Sequence, residues 1–246
     1  MSTPRPVALV TGSARRIGAA IATALHGAGY DLALHFHRSA QEASALQDAL
    51  ETRRRHSTAL LQADLSDIAR LPSLVERTVV RFGRIDALVN NASAFFPTPV
   101  GETTEAMWDA LMGANAKAPF FLSQAAAFHL RQSHGAILNL SDIYAERPCE
   151  RHAVYSMSKA ALSMMTLALA RELAPEVRVN AIAPGAILWP ESDASHAARQ
   201  ALLDRTALGR TGTPAEIAEA AIFLLDSAGY TTGQVLRVDG GRWLSI

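Results

Sequence analysis

The sequence predicts an α/β fold: a single-domain, doubly wound parallel sheet of about seven strands flanked by helices. Short runs rich in Val, Leu, Ile and Ala alternate with helical patterns from end to end. These runs lack polar alternation, so both of their faces are expected to be buried, as in a parallel sheet covered by helices. A chain of 246 residues with 49% hydrophobic content is long enough for one well-buried core, and no repeat, low-complexity tract or linker divides it.

Taken in order, the expected strands are Val7–Val10, Leu32–Phe36, Thr58–Gln62, Ala87–Asn90, Ala136–Leu140, Val177–Ile182 and Val235–Val238. Helical patterns lie between them near 16–28, 40–54, 67–82, 103–132, 153–174 and 214–226. Strand–helix alternation over the whole length gives a sheet of Rossmann type, with ligands at the carboxyl ends of the strands. The run Arg53-Arg54-Arg55 ends the second helix, where cations suit the dipole, and is expected to be solvated. The stretch Ile187 to Arg205, within a segment of about 187–210, has the mixed polarity of a mobile substrate lid.

Lys plus Arg and Asp plus Glu both number 23, so no global field draws the chain to nucleic acid or membrane. Cys149 is the only cysteine, which excludes an internal disulfide and suits a reducing, cytoplasmic setting. The opening MSTPRPVALVTG runs into a strand without a secretion-signal pattern. No uninterrupted apolar stretch is long enough to span a bilayer.

The turn after the first strand reads Thr11-Gly12-Ser13-Ala14-Arg15-Arg16-Ile17-Gly18. Glycines there let the backbone approach a pyrophosphate at a helix N-terminus. Arg16 stands where a third glycine is expected, and its side chain can reach over the phosphates or into the pocket beyond. The second strand ends His35-Phe36-His37-Arg38-Ser39, without the acid that binds a ribose 2′-hydroxyl in NAD sites. Arg38 and Ser39 offer donors for a 2′-phosphate, which favours NADPH; an exposed loop arginine is the plainer alternative. The two histidines lack a third ligand, so no metal is expected. Asp64, followed by Leu65, either accepts from an adenine amino group or caps a helix. Asn90-Asn91-Ala92-Ser93 closes the fourth strand; Asn90 can hold nearby backbone, and Phe95-Phe96 on a Pro-rich loop suggest a stacking platform.

The chemistry is expected between residues 135 and 160. Tyr155 and Lys159 are one helical turn apart, so phenol and ammonium share a face, where the cation should lower the phenol's pKa. Asp142 ends the strand Ala136–Leu140, thirteen residues before Tyr155. A strand end and the next helix can aim carboxyl, phenol and ammonium into one pocket. The plainer accounts are chance spacing for the pair and simple capping for Asp142.

The combination of TG-x3-R-x-G, NNAS, Tyr155-x3-Lys159, Pro184-Gly185 and the terminal VDGG resembles the short-chain dehydrogenase/reductase superfamily over essentially the whole chain. Within it the sequence is similar to pteridine reductases, through Arg16, HFHRS, NNASAFFPTP and Asp142 in place of the common serine. The segment DIYAERPCERHAVY is also similar to dihydromonapterin reductases. The resemblance implies NADPH/NADP+ bound by Gly12, Arg16, Ile17, Gly18, His37, Arg38, Ser39, Asp64, Leu65, Asn91, Ala92, Ser93, Tyr155, Lys159, Pro184 and Gly185. It implies catalysis by Asp142, Tyr155 and Lys159, with Asn115 holding a water near Lys159. It implies a pterin pocket lined by Arg16, Ser93, Phe95, Asp142 and Tyr155, and a homotetramer built on the 103–132 and 153–174 helices.

The expected activity is therefore NADPH-dependent reduction of a C=N bond in an oxidised or dihydro pterin, with biopterin, dihydromonapterin and dihydrofolate left open. A ketone reductase needs a hydroxyl donor for its alkoxide, which an ionised Asp142 cannot supply. Two alternatives stand beside this: a carbonyl reductase acting on a 3-oxoacyl or sugar ketone, and a non-catalytic dinucleotide sensor that kept the fold.

Overall fold

The computed structural model describes residues 5–188 and 196–245. Seven strands, β1 (Val7–Val10), β2 (Asp31–Phe36), β3 (Thr58–Gln62), β4 (Ala87–Asn90), β5 (Ala136–Leu140), β6 (Arg178–Pro184) and β7 (Val235–Val238), form one sheet. Their order is β3-β2-β1-β4-β5-β6-β7, and every pairing is parallel. The helices are α1 (Arg16–Gly27), α2 (Ala40–Arg53), α3 (Leu71–Phe82), α4 (Glu105–Met112), α5 (Ala118–Ser133), α6 (Ala153–Leu173), α7 (His196–Asp204) and α8 (Pro214–Ile222). The expected Rossmann-type sheet is present. The expected 103–132 helix is divided by a π-helical turn at Gly113–Lys117, and α7 falls within the segment read as a lid. Residues 189–195 of that segment lie outside the described residues.

Strands without polar alternation are buried on both faces, most completely in β1, β4 and β5. Successive side chains of β1 serve opposite cores: Ala8 and Val10 pack with Ile21 and Leu25 of α1 and Ile217 of α8, while Leu9 packs with Leu74 of α3 and Leu122 of α5. Each fully buried leucine or isoleucine contributes roughly 1.5–3 kcal/mol. Helix α6 has the length and hydropathy of a bilayer span, yet 56% of that window is buried inside the fold. Its apolar character therefore serves the core beneath β5 and β6.

Two expectations are corrected here. Arg54 is not solvated: it donates to the carbonyls of His26, at 3.0 Å, and Tyr30, and pairs with Asp31 at 3.2 Å. It fastens the end of α2 to the turn between α1 and β2. Asn90 holds side chains rather than backbone, donating to Asn139 Oδ1 at 2.9 Å and Ser123 Oγ at 3.2 Å. Asn139 in turn donates to Thr166 Oγ1 at 2.9 Å. This buried chain ties β4 and β5 to α5 and α6, and so fixes the strand and the helix that present the chemistry.

Asn139→Leu leaves Asn90 short of an acceptor and Thr166 short of a donor, each in a dry site. We expect unfolding in urea to show a loss of at least about 2 kcal/mol, from a cost of roughly 1–3 kcal/mol per stranded group. A loss below about 0.5 kcal/mol, the range of ordinary surface changes, would show that the network adds nothing to stability.

Candidate active site

Asp142 leaves β5 in extended conformation and caps a single 3-10 turn, its Oδ1 accepting from the Tyr144 N–H at 2.9 Å. Its other oxygen accepts from the Tyr155 hydroxyl at 2.6 Å. Tyr155 lies in the first turn of α6, and Lys159 one turn later donates to the Leu140 carbonyl at 2.8 Å. The Lys159 ammonium is 5.8 Å from the Tyr155 ring centre. Carboxyl, phenol and ammonium thus meet on one wall of a cleft of about 430 Å³ that opens at the carboxyl end of the sheet.

Tyr155 and Lys159 are buried; Asp142 keeps some exposed surface, but its carboxyl group is desolvated with them, and burial sets all three proton affinities. Burial raises the Asp142 pKa, against the pull of the Tyr144 N–H, the Tyr155 hydroxyl and the Lys159 and Arg242 charges. Burial also pushes the Tyr155 phenol well above its usual value, and the Asp142 charge pushes the same way. Lys159 is lowered to about 8 by burial, with Asp142 working against the shift. The sequence expectation that Lys159 lowers the phenol's pKa is therefore reversed in the protein alone. Desolvation and the Asp142 charge set the direction, and the phenol stays protonated as a donor.

Helix α6 begins without a side-chain cap of its own at His152. Thr98 supplies one from the 91–104 loop, its Oγ1 accepting from the Val154 N–H at 3.1 Å. The same loop carries Phe95, half exposed, which meets the Tyr155 ring edge-on at 4.7 Å. Behind it the His152 ring stacks at 4.6 Å with an 11° interplanar angle. Asn115, on the π-helical turn, accepts from Ala94 N–H at 2.8 Å and Ser93 Oγ at 3.0 Å. It donates to the Ala94 carbonyl at 3.0 Å and to Ser158 Oγ at 2.9 Å. Its side chain is thus engaged by protein groups, and it acts as a clamp between the Phe95 loop and α6. Ser141, beside Asp142, shares a 2.7 Å hydrogen bond with Ser163 and donates to the Lys159 carbonyl.

The glycine turn is built by close approach. A Cβ on Gly18 would sit 2.2 Å from the Gly12 oxygen and 2.5 Å from Asn91 Nδ2, so only glycine fits. Asn91 is the residue that holds backbone, donating to the Thr11 and Gly12 carbonyls at 2.9 and 3.0 Å. Ala92 N–H donates to Thr11 Oγ1 at 3.0 Å. Ile17 packs on the core beneath. Arg16 has φ 53°, the left-handed region that glycine enters freely, which is why a glycine is expected there. Holding a non-glycine residue in that region costs on the order of 1–3 kcal/mol, and such strain is commonly kept at functional sites. His35 anchors the turn, accepting from Gly12 N–H at Nδ1, 3.2 Å away, with Nε2 toward the Ala63 carbonyl; burial lowers it to about 4. Among the described residues no group of His, Cys, Asp and Glu could hold a metal ion.

At the end of β2, Arg38 is exposed and Ser39 occupies the position before α2 without capping it. Asp64 accepts from Ser66 N–H at 2.9 Å within a local turn and lies 3.5 Å from His37 Nε2; it caps no helix, since Asp67 holds the cap position of the next helical turn. Leu65 packs on the second core. Pro184 ends β6, and a Cβ on Gly185 would meet Asp239 Cα at 2.7 Å. These features fit a dinucleotide. Neither α1 nor α2 spends its N-terminal donors on a side chain of its own cap residue.

Tyr144, His152 and Arg242 were missed by reading the sequence. Arg242 lines the cleft at 8% exposure, and only its place directly after the VDGG turn could have drawn notice.

The chain matches the family described as Enoyl-(Acyl carrier protein) reductase over residues 12–242. It is 36% identical to pteridine reductase 1 of Leishmania tarentolae, covering 98% of this chain and 97% of that one. It is 38% identical to a putative ketoacyl reductase of granaticin polyketide synthesis from Streptomyces violaceoruber, over 97% and 96%. A 3-oxoacyl-[acyl-carrier-protein] reductase of Staphylococcus aureus is 35% identical, over 96% and 98%. Matches that run almost end to end place the chain in the short-chain dehydrogenase/reductase superfamily, as an oxidoreductase of a family that uses NAD(P)H.

Proposed function

We propose that the chain is an NADPH-dependent pteridine reductase, transferring hydride to a C=N bond of an oxidised or dihydro pterin. The observation that carries this reading is Asp142, a buried carboxyl group 2.6 Å from the Tyr155 hydroxyl where a ketone reductase needs a hydroxyl donor. Ionised, it would repel a developing alkoxide; beside an imine it helps by holding the proton donor in place. The neighbouring Ser141 hydroxyl is engaged elsewhere. Identity does not separate the readings, since pteridine and ketoacyl reductases stand at 36% and 38%. The residue at 142 is what favours the pterin.

When bound, the reduced nicotinamide supplies the hydride. Tyr155 keeps its proton through burial and the Asp142 charge, and passes it to the ring nitrogen beside the carbon that is reduced. The atoms balance as C=N plus hydride plus proton giving CH–NH. Asp142 orients the phenol, and after the phenol is discharged one proton from solvent, for which burial raises the carboxyl group's affinity, restores the pair. Lys159 would hold the nicotinamide ribose and stabilise the phenolate left behind. Phe95 would offer a stacking face to a flat bicycle, with Arg16 and Ser93 at its polar rim. Arg38 and Ser39 would bind the 2′-phosphate, with His37, Asp64 and Leu65 near the adenine. Asn115 supports the site by clamping the Phe95 loop. A cytoplasmic setting accords with a single free cysteine, Cys149. A homotetramer accords with exposed apolar side chains at Met157, Met164 and Leu167, which share one stripe of α6, and at Phe120 and Phe128 on α5.

NADPH oxidation with a panel of dihydropterins and 3-oxoacyl thioesters tests the reading directly. Tyr155→Phe should lower pterin turnover by about 10²–10⁴-fold, the usual worth of a general acid. Asp142→Ser should weaken pterin reduction and let some ketone reduction appear. Efficient wild-type turnover of the thioesters with none of pterins would transfer the assignment to the carbonyl reductases.

Cofactor choice gives a separate check. Arg38→Asp should raise the KM for NADPH about tenfold or more, the scale of lost charge-assisted hydrogen bonds, and narrow the gap to NADH. An unchanged preference would remove Arg38 from the 2′-phosphate site.

The lowered Lys159 pKa gives the pH dependence a sign. The ammonium is charged below about 8 and loses its proton above, so kcat/KM should fall on the alkaline side with an apparent pKa near 8. Lys159→Arg, charged throughout, should keep reduced activity without that limb. A wild-type profile flat to about pH 10, the range of an ordinary lysine, would remove Lys159 from the proton-handling charge balance.

A further inference from the structure

Arg242 is a buried cation in the cleft wall that the proposed reaction does not use. The Gly240-Gly241 turn, with φ of 62° and 78°, brings the chain to it. Its Nη2 donates to the Tyr144 hydroxyl at 3.3 Å and its Nη1 to the Leu202 carbonyl of α7 at 3.2 Å. Both acceptors are neutral. Among the described residues no carboxylate forms an ion pair with it, and both Asp142 oxygens are already engaged by Tyr144 and Tyr155. A guanidinium carries five N–H donors in a planar fork, and these two contacts leave most of that fork for something else. Asp142 is near enough to feel the Arg242 charge but makes no contact with it, which leaves a ligand anion as the natural direct partner of the guanidinium.

The charges along the cleft point the same way. Its lining carries Arg16, Lys159 and Arg242 against Asp142 alone. Arg16 stands on the glycine turn, where a dinucleotide's phosphates would lie, and Lys159 is tied to the Leu140 carbonyl. With Arg16 shared between those phosphates and the polar rim of the ring, Arg242 is the cation left for a substituent of the substrate. Leu202, with Leu188 at the rim at 39% exposure, gives its end of the cleft apolar walls, beside which a carboxylate–guanidinium pair is stronger than in open water.

We propose that Arg242 and the Tyr144 hydroxyl form an anion subsite at the α7 end of the cleft, and that the substrate carries a carboxylate there. The inference rests on this cleft being the reducing site, and within the pterin reading it selects pterins with a carboxylate-bearing substituent over those with a neutral polyol side chain. Arg242 is then a specificity-determining residue that touches neither Asp142 nor Tyr155, although its charge lowers the proton affinity of Asp142.

The test compares two ligands on the full chain saturated with NADPH: pterin-6-carboxylate and 6-hydroxymethylpterin, which share a ring and differ in charge. Dissociation constants from fluorescence titration should favour the carboxylate by about tenfold to a hundredfold, the scale of hydrogen bonds to a charged group. Arg242→Gln should erase that ratio, and Arg242→Lys should keep part of it, with thermal unfolding showing that each variant is folded. A wild-type protein without the preference, or an Arg242→Gln protein that retains it, overturns the proposal. Failure to bind either pterin sinks the pterin reading instead. The charge preference is then read from NADPH oxidation with acetoacetate against methyl acetoacetate, on the same criterion. Inactivity with both pairs overturns the two readings together.

Discussion

A carboxyl group and a phenol held at 2.6 Å in a buried site have to be supported from every side, and most of the local structure does so. Asp142 is fixed by the end of β5 and by the turn it caps; Tyr155 is fixed by α6. The relative position of strand and helix rests on the Asn90–Asn139–Thr166 chain beneath them and on the Lys159 bond to the Leu140 carbonyl. A shift of an ångström between β5 and α6 would leave several buried polar groups unsatisfied at once. That shared cost gives the pair one geometry.

Support from the cofactor side is steric. The contact of Gly18 with Gly12 and Asn91 pulls β1, α1 and the end of β4 together, and Asn91 repays it with two hydrogen bonds to the turn's carbonyls. Asn115 carries the same tightness to α6 through Ser93, Ala94 and Ser158. The loop with Phe95 is therefore held at both ends, by Asn115 and by Thr98, although Phe95 itself is half exposed. Such a platform is ordered before any ring arrives, so little entropy is lost on stacking. Arg16, in a left-handed conformation, is the counterpart on the facing turn, where the fold accepts strain to keep a charged side chain at the cleft.

Much of this could be read from the chain alone, and the reason is locality. Uninterrupted aliphatic runs required strands buried on both faces, and their alternation with helical patterns required a parallel sheet. The spacing of Tyr155 and Lys159 fixed a common helical face, the glycines at 12 and 18 required a close approach, and Asp142 at a strand end required a place at the sheet's carboxyl edge. Each inference uses only periodicity, backbone freedom or the end of an element.

Tertiary structure decided whatever depends on residues far apart in the chain. Asn90 and Asn91 are neighbours of one type, yet one joins a buried side-chain network and the other grips the glycine turn. Arg54 looked like one of three solvated arginines until α1 and β2 supplied its partners. His152 became the backing of Phe95, and Arg242 came into the cleft across 98 positions from Tyr144. The proton affinities belong here too: spacing put an ammonium near a phenol, but desolvation by the packed fold decided that the phenol would keep its proton. The sequence by itself determined which face each reactive group takes, because that follows from backbone period; only the folded chain determined burial and partners, because those depend on which distant surfaces come together.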